Sequence, residues 1–239
     1  MRPVNRGAHL EEPIGIKIEF KHYREAKSFL ETNTGDYCHF CEKRVNNALA
    51  VEHIEQQGLF TSKVNDWDNF LLICTNCNSC KPQNSLPTQP MTDHYYWPHL
   101  NNTILTFDYD LEGTAVPVPN STNLTQPIQT AKAQKLIDFY KPGLETNPIT
   151  GNTDGRHRYR KEALRFAKTS LLEYLARKIN VDAIIRQAVL SGFFSIWIKV
   201  FDRMPEIRKA LIDCPDFKLT GHGFFDAQYQ PLKRILNDF

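Results

Sequence analysis

Two C-x-x-C pairs, Cys38-His39-Phe40-Cys41 and Cys74-Thr75-Asn76-Cys77, constrain this chain more than any other feature. Two residues between thiolates let one knuckle turn aim both sulfurs at a single ion. Two knuckles complete a tetrahedral S4 shell with bonds of about 2.3 Å. The closed shell is structural, so Cys38, Cys41, Cys74 and Cys77 are predicted to hold Zn²⁺. The alternative is a set of incidental buried thiols. The 32 residues from Glu42 to Ile73 exceed the spacer of a common zinc ribbon, so an element of its own lies between the knuckles. Cys80 and His39 are spare donors that are not expected to bind, and Cys214, far from the rest, reads as a buried inert thiol. Metal is preferred over disulfides because Met1 to Pro13 has no apolar run of a secretory signal, which implies a cytoplasmic chain with reduced thiols.

Between the knuckles run Ala50-Val51-Glu52-His53-Ile54 and Trp67-Asp68-Asn69-Phe70-Leu71-Leu72-Ile73, and the second knuckle continues Cys77-Asn78-Ser79-Cys80-Lys81. Val51 and Ile54 flank an acid and an imidazole on a short apolar strand, where an unpaired Glu-His would be costly as core. A carboxylate and His at a strand end, an Asn sixteen residues on, and an Asn directly after a C-x-x-C together resemble the HNH endonucleases, over about Asp36 to Gln83. The resemblance implies a ββα-metal module held by the zinc frame. His53 would be the general base, and Glu52 and Asn78 the holders of one Mg²⁺ or Mn²⁺. Asn69 would brace the loop that bears the base, and Lys81 would contact a phosphate. Two positions depart from the commonest pattern: Glu52 stands where Asp is usual, and Asn78 where many members carry His. The competing reading is a zinc module that binds nucleic acid or protein without cutting.

The remainder divides by pattern. Ile14 to Phe20 alternates like a strand, Tyr23 to Leu30 has helical spacing, and Thr34-Gly35 stops it. Prolines and the aromatics Tyr95-Tyr96-Trp97 mark a connector in which core or lid packing outweighs base stacking; His94 and His99 there read as hydrogen-bonded surface residues. Thr103 to Tyr109 and Thr114 to Val118 read as a hairpin around Glu112-Gly113. Helices are expected over Ile128 to Tyr140, Asp154 to Lys178, Val181 to Arg203 and Glu206 to Asp213. Gly221 to Phe225 reads as a turn feeding an aromatic anchor. The resulting fold class is α+β: an HNH module with extension and connector over 1–110, then a mainly helical region over 111–239.

The whole chain carries 29 Lys plus Arg against 27 Asp plus Glu, too near neutrality to gather a polyanion by bulk charge. The basic surplus sits in the helical half, where Arg158, Lys161, Arg165 and Lys168 fall on one side of a helix and Leu164, Ala167, Leu171, Tyr174 and Leu175 on the other. Three readings stand for this ridge: a solvated face, a phosphate-tracking surface that Arg156, His157 and Arg160 would strengthen, or a docking face for an acidic partner. The least polar stretch, Ala188 to Ile198, falls short of the roughly 20 residues a membrane span needs, so no membrane association is expected. The layout of HNH module, Trp-Pro connector and helical half, with its Met1-Arg2-Pro3-Val4 start, is similar to the HNH proteins of Septu-type and retron-linked anti-phage systems. That similarity implies an ATPase partner and nucleic acid as target, DNA first, with RNA or tRNA as the alternative.

Overall fold

The computed structural model describes residues 1–7, 18–80, 95–117, 127–140, 145–146 and 151–234. Ile14 and Ile16 of the expected first strand, with His94 and Lys81, lie outside them, and residues 18–20 form no strand. A single 3-10 turn over Tyr23–Ala26, which buries Ala26, leads into α1 (Lys27–Thr34), which buries Leu30 and Thr34. Gly35 ends the helix at φ 78°, a left-handed value that glycine takes without a Cβ clash.

The first knuckle then turns into β1 (Leu49–His53), which pairs antiparallel with β2 (Phe70–Cys74) in the register Leu49↔Cys74 to His53↔Phe70. Every residue of β2 is buried, because α1 covers one side and the connector aromatics Tyr96 and Trp97 join the same core. This accounts for the unbroken apolar run Phe70-Leu71-Leu72-Ile73, which a strand with one wet face would have interrupted. A five-residue helix, α2 (Thr75–Ser79), follows β2 at once and carries Cys77 and Asn78. The order is strand, strand, helix around a cysteine cluster.

Tyr95, Tyr96 and Trp97 are buried, in line with core packing. His99 is buried too, at 6% exposure, which corrects the surface reading: it follows Trp97 into the same core and tilts against that indole. The expected hairpin forms with shorter strands, β3 (Phe107–Tyr109) and β4 (Ala115–Pro117), after a 3-10 turn over Thr103–Leu105. Asp110 accepts from the Glu112 and Thr114 amides and fixes the turn. Helix α3 (Pro127–Tyr140) sends Ala133, Leu136 and Ile137 into the core of the cysteine module.

Helix α4 (Gly155–Leu175) starts from Asp154, whose carboxylate accepts from the Arg156 amide. It buries Ala163, Leu164, Ala167 and Ser170 against α5 (Val181–Ser191) and α6 (Phe194–Val200). Leu175, expected on the packed side, is the last residue of α4 and is 57% exposed. The single helix expected over Val181 to Arg203 is two: Gly192 (φ 72°) and Phe193 (φ 57°) break it in left-handed conformations. The Phe193 amide donates 3.1 Å to the Glu42 carbonyl, so the break is where the helical half meets the first knuckle. Helix α7 (Pro205–Asp213) begins with proline at its first position and closes the second core, which ends with Phe217, Leu219 and the Phe224 anchor. Cys214 is buried there.

The two cores do not separate at one point in the chain. Tyr37, next to Cys38, packs with the helical half, whereas α3 packs with the cysteine module. At the seam, the Glu42 carboxylate accepts from the Ser195 amide (2.9 Å) and hydroxyl (2.5 Å) and from the Tyr109 hydroxyl (2.8 Å). The Met1 amino group lies 3.1 Å from the same carboxylate. Among the described residues no helix is long and apolar enough to cross a membrane.

Candidate metal centre and catalytic cavity

The four predicted cysteines converge. Their sulfurs all lie within 4.8 Å of one another and are buried, with separations of 3.7 Å for both Cys38–Cys77 and Cys41–Cys74. A tetrahedron with ~2.3 Å metal–sulfur bonds has edges of ~3.8 Å, which these two separations match, so the cluster could hold a zinc ion. The surroundings suit thiolates: the Cys74 amide donates to Cys38 Sγ at 3.4 Å, and Arg156 Nη1 donates to Cys77 Sγ at 3.1 Å. Burial, then the neighbouring sulfurs, push the Cys77 thiol well above its ordinary value, so a bound dication must displace its proton.

The spare donors have other work. His39 Nδ1 accepts from the Leu72 amide at 3.1 Å, which leaves the proton on Nε2 facing Thr34 Oγ1 at 2.8 Å. The ring thereby splints the knuckle to β2 and α1. Cys80 Sγ accepts from Arg156 Nη2 at 3.1 Å. Arg156 and Arg160 are fully buried, which removes both from the basic surface expected of them. Arg156 is paired with Asp154 and forks onto two sulfurs, and Arg160 donates to the Cys41 carbonyl at 3.1 Å. Their spacing sets them apart: Arg156 and Arg160 run at helical intervals into Ala163 and Ala167 on the buried stripe of α4, whereas Arg158, Lys161, Arg165 and Lys168 lie on the opposite side.

Glu52, His53 and Asn78 line one cavity of about 380 Å³, with Tyr23, Gln56 and Gln57 around it. Strand β1 delivers the first two and α2 the third. His53 is 6% exposed, and its Nε2 sits 2.8 Å from the Val64 carbonyl, an acceptor, so Nε2 carries the proton. Nδ1 is then the basic nitrogen, and Gln57 Nε2 donates to it at 2.9 Å. Tyr23 and Phe70 meet the ring edge-on at 4.7 and 5.2 Å and fix its plane. Gln57, Tyr23 and the Val64 carbonyl were not anticipated; only the i,i+4 spacing of His53 and Gln57 hinted at one of them.

Asn69 is 2% exposed and lines no part of this cavity. Its Oδ1 accepts from the Glu55 amide at 2.6 Å, and its Nδ2 donates to the Glu55 and Lys63 carbonyls at 3.0 and 2.9 Å. The backbone adds Ile54 N–H to the Asn69 carbonyl at 2.9 Å. One side chain thus pins the segment that leaves His53 to the start of β2.

Arg158, Lys161, Arg165 and Lys168 are all exposed on one face of α4. Lys161 is paired with Glu112, and Arg165 lies over Phe166. No protein-family model matches the chain, and no curated protein matches it in sequence.

Proposed function

We propose that the chain is a metal-dependent endonuclease of the HNH type, hydrolysing phosphodiester bonds in nucleic acid, with DNA as the first candidate and RNA or tRNA as the second. One juxtaposition carries the reading: Glu52, His53 and Asn78, drawn from two elements, line a single cavity beside a buried tetra-cysteine cluster. A carboxylate oxygen and an amide oxygen are the donors a hard divalent ion prefers. Glu52 and Asn78 would hold Mg²⁺ or Mn²⁺, which when bound supplies positive charge to stabilise the leaving oxygen.

The rest of the chemistry belongs to the chain. His53 Nδ1 takes the proton from a water as that water's oxygen bonds to phosphorus and the P–O bond to the leaving oxygen breaks. The Val64 carbonyl, accepting from Nε2, holds the tautomer and steadies the imidazolium that forms. In this structure Gln57 occupies Nδ1, so an incoming water must displace or share that amide. Asn69 positions the loop and touches no substrate.

The similarity of layout to Septu-type and retron-linked proteins extends the reading to cytoplasmic anti-phage defence alongside an ATPase. The test is a cleavage panel of plasmid, linear duplex, single strands and tRNA with Mg²⁺ or Mn²⁺, run alone and with any neighbouring ATPase. His53→Ala should lose cutting by about 10²-fold or more while binding is kept. A zinc adaptor would bind and cut nothing in every lane. Cutting that persists in His53→Ala, Glu52→Ala and Asn78→Ala alike would put the active site elsewhere.

A further inference from the structure

The N-terminal turn of α4 is docked on α2, the helix that bears Asn78. Arg156 reaches Cys77 Sγ, and the space a Cβ would fill at Gly155 is bounded by Tyr159 Cε2 at 3.6 Å and Asn76 Nδ2 at 4.0 Å. Tyr159 is 36% exposed at this junction and collects two cations from different elements. Lys43, just past the first knuckle, places Nζ 4.1 Å from the ring centroid, and Arg158 places Cζ at 5.0 Å with Nη2 3.3 Å from the Tyr159 hydroxyl.

Among the described residues neither Lys43 nor Arg158 forms an ion pair, whereas Lys161, one turn on, is paired with Glu112. Two like charges gathered on one half-exposed ring repel each other, and an anion between them turns that repulsion into attraction. The ring also offers a flat face to a sugar or base. Arg165 lies seven residues further along the same exposed face, about 10 Å at 1.5 Å per residue, so the positive track continues away from α2.

We propose that Lys43, Arg158 and Tyr159 form a grip for the phosphodiester backbone of a nucleic-acid strand that leaves the Glu52–His53–Asn78 cavity across α2. The grip deepens the nuclease reading and rests on it for the path of the strand, but its own readout is binding. The parent for binding is the zinc-loaded His53→Ala chain, titrated with labelled single-stranded DNA, single-stranded RNA and duplex DNA over a salt series. Lys43→Gln/Arg158→Gln in that parent should flatten the dependence of log affinity on log salt by about 1.4 for single strands and about 1.8 for duplex, two phosphate contacts' worth. Tyr159→Ala should weaken single strands more than duplex. Lys161→Gln should match the parent, and zinc content should be unchanged in all. An unchanged slope in the double variant, or no binding by the parent to any of the three probes, overturns the grip. Cleavage is scored separately in the chain with His53 intact. If that chain cuts nothing while the slope still falls, the nuclease reading fails and the grip stands; if it cuts while the slope is unmoved, the reverse holds.

Discussion

Asn69 has two donors and one acceptor matched to three backbone groups of the loop that follows His53. Replacing it by Ala strands those three groups, which should cost about 3 kcal/mol or more on the scale of about 1–3 per unsatisfied group. The Asp variant keeps the acceptor but turns a carboxylate oxygen toward two carbonyls, so it should rescue little. Urea unfolding of both variants, with zinc content measured alongside, checks the ranking.

His99 gives a pH signature at the same scale. Burial, then the nearby Arg6 and Arg234 guanidinium charges and His39, hold its folded pKa well below the ordinary 6.5. A base with a depressed folded pKa is protonated first in the unfolded chain, so its contribution is fully present above about 6.5 and is lost as pH falls below that value. Stability should therefore drop between pH 7 and 5.5, by up to about 1.4 kcal/mol per pH unit for each such histidine. His39 acts in the same direction, so His99→Gln should lower the slope without abolishing it. Unfolding at saturating zinc across that range measures the difference.

At the scale of elements, the break between α5 and α6 is the point where pattern and structure part. The apolar run from Ala188 to Ile198 has no proline, and Gly192 alone does not distinguish a tolerated mid-helix glycine from a stop. What decides is the neighbour: a Cβ at Gly192 would lie 2.8 Å from the Glu42 carbonyl oxygen and 2.9 Å from the Arg44 amide nitrogen. Gly192 has φ 72° and ψ −152°, a region nearly confined to glycine, so Gly192→Ala should cost more than the ~1–3 kcal/mol of that conformation alone and should loosen α6 from the first knuckle. Hydrogen exchange at the Phe193 amide, bonded to Glu42, reports that contact directly. By comparison, Asn180→Ala at the start of α5 removes only the cap to the Ala183 amide and should cost about 1 kcal/mol. If the two variants melt alike, the knuckle contact has been overvalued.

Across the whole molecule, the four-cysteine cluster and the helical half are joined through buried charge. Arg156 is enclosed with Asp154 and two sulfurs, and Arg160 is bonded to the Cys41 carbonyl, so α4 is seated on both knuckles. Removing Arg156 leaves the Asp154 carboxylate buried without its partner, a loss of about 3–5 kcal/mol. It should also speed zinc release to a chelating dye, because Cys77 loses its N–H donor. Cys74→Ser should lose metal outright and disturb α4 as well as the hairpin, visible as a single cooperative loss of helix signal when the holo and apo chains are melted. Cys80→Ser should keep the metal. Full zinc content in Cys74→Ser would remove the four-cysteine site.

The amino-acid pattern alone marked the four cysteines, the short strand that carries Glu52 and His53, the hairpin around Gly113 and most helix limits. Each of these follows from local rules: knuckle spacing, period-two or helical repetition, capping residues and prolines. It also singled out Glu52, His53 and Asn78 as a set, which the fold brings to one cavity. Helical phase already put Arg156 and Arg160 on the apolar side of α4, opposite Arg158, but only the fold shows what meets them there, Cys77 Sγ and the Cys41 carbonyl. The same holds for His99, drawn inward by Trp97, for the tautomer of His53, chosen by a carbonyl eleven residues away, and for the break at Gly192, dictated by the backbone of Glu42. The deciding atom lies eleven residues from His53 and far along the chain from Gly192, and a local pattern carries no record of what will be packed against it.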